Sequence, residues 1–370
     1  MTTILLIQFD PMDFKEIIIK WYLENKRDLP WRNTDNPYHI WISEVILQQT
    51  RVVQGLGYYL RFIQSFPTIK DLSNANIDRV MKVWQGLGYY SRARNLHNAA
   101  KQVMNDFNGK LPNTYNELLT IKGLGPYSAG AIASFAFKEA VPAIDGNVYR
   151  VLSRIYGVFS SPETSSGKKE FYDLTMELID KKHPDTFNQA LLDFGALQCV
   201  PRNPDCVICP FNSICFASRN NLVSQLPVKG KKIISRDRFF NYIIIRYSGS
   251  TFIQRREAGD IWTSLYEFPL IETSTSTEIE MLLKDKSWKA LFKNTKTKIL
   301  YISQPVKHLL SHQTLYTKFI VVEINKPNAY LSSNYLKTSI PSIQDYSVPK
   351  VIDNFLAAEP AEKYLRKGEE

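Results

Sequence analysis

The feature that most constrains the fold of this 370-residue chain is a change of hydrophobic periodicity past its middle. Up to about Ser218, apolar residues recur at helical spacing in DFKEIIIKWYLEN, VYRVLSRIYGVF and KEFYDLTMELIDKK. Later they occur in short β-branched or aromatic runs, FFNYIIIRY, STFIQRRE, KILYISQ and LYTKFIVVEI. We therefore expect two domains, an all-α domain over residues 13–222 and an α+β domain with antiparallel strands over residues 238–350.

Three shorter segments complete this organisation. Residues 223–237, which include SQLPVKGKKIISRD, are basic and lack an amphipathic period, so they predict an exposed linker. TEIEMLLKDKSWKALF predicts one helix within the second domain. QGLGYYLR at 54–61 recurs as QGLGYYSR at 85–92, and two copies indicate two similar helix-joining turns, not a solenoid.

Charge and hydropathy restrict the partners and the compartment. The net charge of +10 is spread along the chain, which favours nucleic acid as a partner but does not decide it. No stretch approaches the ~18 apolar residues of a membrane span. The segment MTTILLIQFD has no basic region and only a short apolar run, unlike a signal peptide, so we expect a reduced, cytosolic protein.

All four cysteines of the chain lie within one short loop, spaced Cx6Cx2Cx5C: Cys199, Cys206, Cys209 and Cys215. In a reducing compartment such clustering indicates a metal site and not disulfides. A structural zinc site usually takes two CxxC pairs, whereas this loop has one pair and two wider gaps. The spacing therefore favours a [4Fe-4S] cluster, with zinc as the alternative.

The segment IKGLGPYSAGAIASFAF predicts a helix–hairpin–helix. It places Gly123 and Gly125 between a helix that ends near Lys122 and a helix that begins near Ser128. Glycines permit positive φ and close approach, so the free N–H groups of the second helix can bind a DNA phosphate. An ordinary interhelical turn is the alternative.

Two carboxylates are candidates for acid–base chemistry. Glu44 lies in the apolar helix WISEVILQQT, where burial would raise its pKa and make it a general acid near neutral pH, unless Arg32 neutralises it. Asp145 opens the run DGNVYRVLSRIYG and fits an N-cap whose N–H bonds keep it ionised. A protonated acid and an anion of this kind form the pair that glycosidic bond cleavage uses.

Together these motifs resemble the helix–hairpin–helix DNA glycosylase superfamily over residues 13–218. WISEVILQQT, QGLGYYSRARNL, GPYSAGAIASFAF and DGNVYRV are similar to adenine DNA glycosylases of the MutY type. The related endonuclease III branch has a lysine nucleophile where this chain has Tyr127, and Tyr149 stands where some relatives have a lysine. The resemblance thus implies a glycosylase without lyase activity.

The resemblance also implies a substrate and site residues. Adenine opposite 8-oxoguanine or guanine in duplex DNA would be flipped out, Glu44 would protonate adenine N7, and Asp145 would stabilise the charged sugar, supported by Tyr127 and Asn147. Further positions match residues around the adenine, which are Arg27, Leu29, Trp31 and Gln189. Others match residues that probe the opposing base or wedge beside it, which are Gln49, Thr50, Leu87 and Tyr89. No role is implied for Tyr58, and the cysteine loop would order Arg202 against the DNA backbone.

The second domain resembles the Nudix-like domain of the same family. IWTSLYEFPL is similar to the family's WxxLWEFP signature, and no box of metal-binding glutamates follows, so pyrophosphate hydrolysis is not expected. Leu310, Ser311 and His312 correspond to a PheSerHis loop at the damaged base. Three hypotheses remain open: a monofunctional adenine glycosylase, a bifunctional glycosylase/lyase, and a non-catalytic DNA-binding regulator. The first, acting as a monomer in the bacterial cytosol or nucleoid, fits Glu44 and Tyr127.

Overall fold

Residues 11–230 fold into helices, as their periodicity predicts. The computed structural model describes residues 11–230, 235–358 and 361–366. Helices in the first of these ranges are α1 (Pro11–Asn25), α2 (Pro37–Leu47), α3 (Val52–Ser65), α4 (Ile69–Asn74), α5 (Ile77–Trp84), α6 (Ser91–Asp106), α7 (Tyr115–Leu118), α8 (Pro126–Phe137), α9 (Gly146–Tyr156), α10 (Ser165–Leu178), α11 (Pro184–Leu197) and α12 (Phe216–Arg219).

The chain divides into two compact units, each made of two segments that are not contiguous in sequence. The first unit comprises Met1–Asn74 and Asn95–Lys231, and the second comprises Ala75–Arg94 and Lys232–Glu370. The segment 75–94, which includes α5 and the second QGLGYY copy, therefore groups with the C-terminal half. The sequence placed it in the helical domain.

Helices α1, α9 and α11 build one core of the first unit. Phe14 on α1, Leu152 on α9 and Phe187 on α11 are fully buried in the same cluster. Asp145 caps the start of helix α9, and Gly157, whose φ of 70° suits glycine, caps its end. Helix α2 packs against α3 and α8, with Asn36 as its cap and Pro37 in its first turn.

The second unit is built on a mixed sheet. Its strands are β1 (Arg236–Arg246), β2 (Ser250–Arg255), β3 (Tyr266–Glu267), β4 (Leu270–Thr273), β5 (Thr297–Ile302), β6 (Val306–Leu309), β7 (Gln313–Ile324) and β8 (Leu336–Ser339). The larger sheet has the order β4-β1-β7-β5, with β6 also paired to β7, and the smaller sheet has the order β3-β2-β8. Helices here are α13 (Ile279–Leu282), α14 (Lys286–Phe292), α15 (Ala329–Asn334) and α16 (Lys350–Leu356).

Strand β1 buries both of its faces. Phe240 and Ile244 pack in a core cluster with residues of α16, while Ile243 and Ile245 pack in a second cluster with residues of α14. This explains the continuous apolar run of β1, because a strand covered on both sides needs no polar alternation. The Nudix-like sheet is thus covered on each side by helices.

Besides the grouping of segment 75–94, the fold differs from the sequence-based expectations at four places. β1 and β7 are parallel from Arg236 opposite Gln313 onward, whereas the other pairs of this sheet are antiparallel, as expected. The predicted single helix is divided into α13 and α14, where Asp285 caps the second. The first QGLGYY copy lies within α3 and is not a turn.

The fourth difference concerns the expected linker. Leu226 is buried and its carbonyl accepts a hydrogen bond from Arg154, so this part of the expected linker is packed within the first unit. Strand β1 already begins at Arg236. Residues 231–234 of the expected linker lie outside the described residues.

Candidate active site

Glu44 is a buried acid with a raised pKa. Glu44 lies on α2 among apolar side chains and is only 6% exposed. The pKa of Glu44 is raised to about 7, mainly by burial and in smaller part by the charge of Asp145, while the Tyr127 hydrogen bond and Arg32 oppose the shift. The hydroxyl of Tyr127, in the first turn of α8, donates to Oε2 of Glu44 at 2.5 Å. Glu44 therefore has the protonation equilibrium of a general acid near neutral pH.

Arg32 does not serve as the hydrogen-bonded counterion of Glu44. Its guanidinium donates to the fully buried carboxylate of Asp193, with Nη2 2.6 Å from Oδ1. Arg27 donates to the same carboxylate through Nε at 3.0 Å. Burial alone raises the pKa of Asp193, but these two arginines hold it below the ordinary value. Asp193 was not predicted from the sequence, although a single acid within the apolar run ALLDFGAL is a signal of the same kind as Glu44.

Asp145 caps α9 as predicted. Its Oδ1 accepts from the N–H groups of Asn147 at 2.7 Å and Val148 at 3.0 Å, and its Oδ2 accepts from the Asn147 side chain at 2.7 Å. Burial nevertheless raises the pKa of Asp145 above its ordinary value, and the capping bonds only reduce the shift. The pKa of Asp145 is thus shifted in the same direction as that of Glu44, although the sequence predicted that the capping bonds keep Asp145 ionised. Three donors to Asp145 against one to Glu44 still favour the anion at Asp145.

A buried arginine ties the Asp145 cap to the cysteine loop. Nη2 of Arg150 donates to the side-chain oxygen of Asn147 at 2.7 Å, and to the carbonyl of Gly195 at 2.6 Å. Its Nε donates to the carbonyl of Cys199 at 2.7 Å. A methyl group on Gly195 would lie 2.6 Å from Cβ of Asn147, so this glycine permits the close approach. Sequence patterns could not identify this long-range contact.

The four cysteines line one small cavity, together with Arg154. Nη1 of Arg154 lies 3.4 Å from Sγ of Cys199, and the thiol of Cys215 lies 3.3 Å from the Arg154 carbonyl. The pKa of the Cys209 thiol is raised to about 12, mainly by burial and also by the other three thiols, while a backbone hydrogen bond from Phe211 opposes the shift. Such a cavity fits a group that binds thiolates. Among the described residues, no three His, Cys, Asp or Glu side chains form a group that could hold a single metal ion.

The residues predicted to surround adenine lie in the first unit. Leu29 and Trp31 are each 6% exposed, and Trp31 packs edge-on against Tyr59 at 5.1 Å between ring centroids. Gln189 accepts a hydrogen bond from Tyr22 at 2.6 Å. Gln189 and Asp193 are four residues apart on α11, so they lie on the same face of this helix. Asp193 is the carboxylate to which Arg27 donates.

The hairpin uses its two glycines differently. Gly123 has a φ of 93°, and a methyl group there would lie 2.9 Å from Cβ of Asn95, so a side chain is excluded. Gly125 has an ordinary φ of −93° and is the cap of α8, which begins at Pro126. The preceding helix, α7, is shorter than predicted and ends at Leu118, and turns lead to the hairpin.

Residues predicted to probe the opposing base are divided between the two units. Gln49 and Thr50 follow α2 in the first unit, and Gln49 is exposed with a φ of 57°. In the second unit, Leu87 is 6% exposed and Tyr89 is 49% exposed. Of the last two, Tyr89 is therefore the accessible side chain.

Ser311 and His312 lie in the turn between β6 and β7, where both are exposed. The N–H of Leu310 donates to the carbonyl of Gln313 at 2.8 Å and closes this turn. The hydroxyls of Ser311 and Tyr89 are 2.8 Å apart. The second unit thus brings together two residues that the sequence assigned to different domains.

Comparison with known proteins decides the family. An adenine DNA glycosylase of Buchnera aphidicola subsp. Baizongia pistaciae is 37% identical over 324 residues, which cover 87% of this chain and 89% of that protein. The chain belongs to the adenine DNA glycosylase family. The family member of Buchnera aphidicola subsp. Schizaphis graminum is 33% identical over 93% of this chain and 97% of its own. The Rattus norvegicus family member is 42% identical over 56% of this chain and 42% of its own.

Both halves of this DNA glycosylase also match known domains. Residues 42–178 match the HhH-GPD superfamily of base excision DNA repair proteins, and residues 241–358 match the NUDIX domain. A thermostable thymine-DNA glycosylase superposes with a TM-score of 0.53 at 28% identity, over 57% of this chain and 97% of that one. A DNA-trapped endonuclease III, at 21% identity and a TM-score of 0.51, covers 58% of this chain and all of that one, and shares the fold. The predicted family, fold class and enzyme class are confirmed. No described helix is long and apolar enough to cross a membrane.

Proposed function

We propose that this DNA glycosylase removes adenine from A:8-oxoguanine and A:G mispairs in duplex DNA, after flipping the adenine out of the helix. The observation that carries the proposal is Glu44, a buried acid whose pKa is raised to about 7. A binding protein gains nothing from the cost of burying a carboxyl group at this position. The net charge of +10 supports a polyanionic substrate.

Cleavage begins with proton transfer. Glu44 donates its proton to N7 of adenine, and the electron pair of the glycosidic bond leaves with the base. The sugar becomes an oxocarbenium ion, which the Asp145 carboxylate stabilises. Water then adds to C1′, and one of the two carboxylates accepts its proton. Tyr127 orients Glu44, and Asn147 orients Asp145 through its side-chain bond.

The product is an intact abasic strand. The position of an endonuclease III-type lysine holds Tyr127, whose hydroxyl is bound to Glu44. A phenol cannot form a Schiff base with the opened sugar. Strand breaks should therefore appear only after alkali, and borohydride should trap no protein–DNA adduct.

Glu44→Gln is the direct test. The amide keeps the shape and can still accept from Tyr127, but it cannot donate the proton. Single-turnover excision from an A:8-oxoguanine duplex should fall by about 10² or more, while duplex binding persists. Near-normal excision would show that another residue is the acid.

Recognition of 8-oxoguanine is assigned to the turn of β6 and β7. Ser311 can bond to O8 or to the N7 proton, which distinguish 8-oxoguanine from guanine. Ser311→Ala with His312→Ala should lower the preference for A:8-oxoguanine over A:G roughly tenfold to a hundredfold. Substitution is a better test than truncation after Arg219, because truncation also removes Tyr346 and Asp353, the partners of Lys82 and Gln85 in segment 75–94.

The cysteine loop is proposed to hold a [4Fe-4S] cluster, which would order the loop and its exposed Arg202 for contact with the DNA backbone. All four cysteines are free of disulfide bonds, which suits a protein of the reducing cytosol. We also propose that the protein acts as a monomer. Metal analysis of anaerobically purified protein should find iron near four atoms per chain. Stoichiometric zinc without iron would refute the cluster.

A further inference from the structure

An ion network centred on the buried Arg238 lies beside the turn that carries Ser311. Arg238 on β1 is 8% exposed and uses all five N–H donors of its guanidinium. Two bonds of 2.7 Å go to Glu272, and two of 2.6 and 2.8 Å go to Asp260. The fifth goes from Nη1 to the side-chain oxygen of Gln313 at 3.1 Å. The two carboxylates fix the guanidinium, so Gln313 is bonded to a rigid partner.

Gln313 is the last residue of the turn and the first of β7. Its carbonyl closes the turn by accepting from Leu310, and the carbonyl of His312 accepts from the N–H of Arg236 at 3.1 Å. On the other side, Trp262, two residues after Asp260, packs near His308 of β6, with ring centroids 5.9 Å apart. The network therefore bonds directly to β7 through Gln313, and Trp262, which follows Asp260 in sequence, contacts β6.

We propose that Gln313 is a positioning residue for the discrimination between 8-oxoguanine and guanine. Through Arg238 it fixes the turn, so that Ser311 and His312 are presented in one geometry. A hydrogen bond weakens steeply with poor alignment, so a turn that moves loses selectivity even when both side chains remain. This inference rests on the proposed role of the turn in reading 8-oxoguanine.

Two substitutions of Gln313 distinguish the effect of its hydrogen-bond-accepting oxygen from the effect of its side-chain size. Gln313→Met has a similar length but cannot accept from Arg238, whereas Gln313→Glu keeps an acceptor. Gln254→Met is the matched control. The Gln254 amide bonds to Glu267 at 3.2 Å, and Glu267 binds Arg256, which donates to Asp260 of the Arg238 network at 2.6 Å. The preference for A:8-oxoguanine over A:G is measured in competition, with single-turnover excision from A:G and the thermal midpoint measured alongside.

Gln313→Met should lower the preference roughly tenfold and leave the A:G rate within about twofold. Gln313→Glu and Gln254→Met should retain most of the preference. Should Gln313→Met not fold, Gln313→Ser, which is too short to reach Arg238, provides the same comparison.

Two results would overturn the inference: an unchanged preference in Gln313→Met, or an equal loss in Gln254→Met, which would show general loosening of the domain. Ser311→Ala is measured in parallel to separate this failure from failure of the proposed function. If Ser311→Ala loses the preference and Gln313→Met does not, only the positioning role is wrong. If Ser311→Ala combined with His312→Ala also keeps the full preference, the turn does not read the lesion.

Discussion

The hydroxyl of Tyr89 lies 2.8 Å from the hydroxyl of Ser311, although 222 residues separate them in sequence. Tyr89 follows Gly88, whose carbonyl accepts from Trp84 at 3.1 Å and from Arg92 at 3.2 Å. Arg92 also lies over the rings of Trp84 and Tyr89. The turn that presents Tyr89 is thus held from within the second unit, and the two residues proposed to meet the opposing base are already paired.

This pairing predicts energetic coupling between Tyr89 and Ser311. Tyr89→Phe keeps the ring and removes the hydroxyl, so the preference for A:8-oxoguanine should fall a few-fold. In a double-mutant cycle with Ser311→Ala, the combined fold-loss of preference should be smaller than the product of the two single fold-losses. The reason is that either substitution alone removes the same Tyr89–Ser311 hydrogen bond. Competition assays on the four proteins measure it, and independent effects would contradict the coupling.

The pKa of Glu44 predicts how excision depends on pH. The donor must be protonated, and its pKa is raised to about 7. Single-turnover excision at subsaturating enzyme should therefore decline above about pH 7, approaching tenfold per pH unit. The pH profile of wild type measures this decline, with binding followed separately at each pH. A flat profile from pH 6 to 9 would exclude Glu44 as the titrating donor.

The same shift predicts a dependence of stability on pH. The pKa of Glu44 is higher in the folded than in the unfolded protein, so the folded state binds the proton more tightly. The free energy of unfolding should then fall as pH rises from about 4.5 to about 7, by up to roughly 3 kcal/mol. Glu44→Gln has no such proton and should become more stable than wild type at pH 8, although not at pH 4.5. Thermal melts at both values test this, and an equal difference at both would contradict it.

Gly195→Ala should impair excision without touching either carboxylate. The added methyl group would lie 2.6 Å from Cβ of Asn147 and 3.0 Å from its carbonyl oxygen, so the start of α9 must shift. We expect at least a tenfold loss of single-turnover excision and a loss of stability of about 1–3 kcal/mol. Gly57→Ala is the matched control, because a methyl group there meets nothing within 4 Å. Wild-type excision by Gly195→Ala would show that the contact is not required.

Local patterns predicted the parts of the site that depend on nearby residues. The Asp145 cap and the buried helix of Glu44 follow from sequence neighbours, because capping and helical burial act within one or two turns. The partners Asp193 and Arg150 could not be found this way, since each is defined by residues far away in sequence. Nor could the parallel pairing of β1 with β7, which depends on how the intervening strands and helices connect.

The two QGLGYY copies show where local prediction ends. The same six residues are helical at 54–59 but form a turn at 85–90, where Gly86 and Gly88 have φ values of 91° and 80°. In the helix, Gly55 lies against Leu47, and in the turn, Trp84 and Arg92 bind the Gly88 carbonyl. Tertiary contacts therefore select between two conformations that this hexapeptide permits.

The division of the chain also limits how such a protein can be recombined. The chain passes between the two units three times, after Asn74, after Arg94 and after Lys231. A single crossover after Lys231 would join segment 75–94 of one parent to the C-terminal half of the other. The second unit would then be assembled from two different sequences. Gene exchange between relatives should therefore preserve the second unit only when segment 75–94 is inherited from the same parent as the C-terminal half.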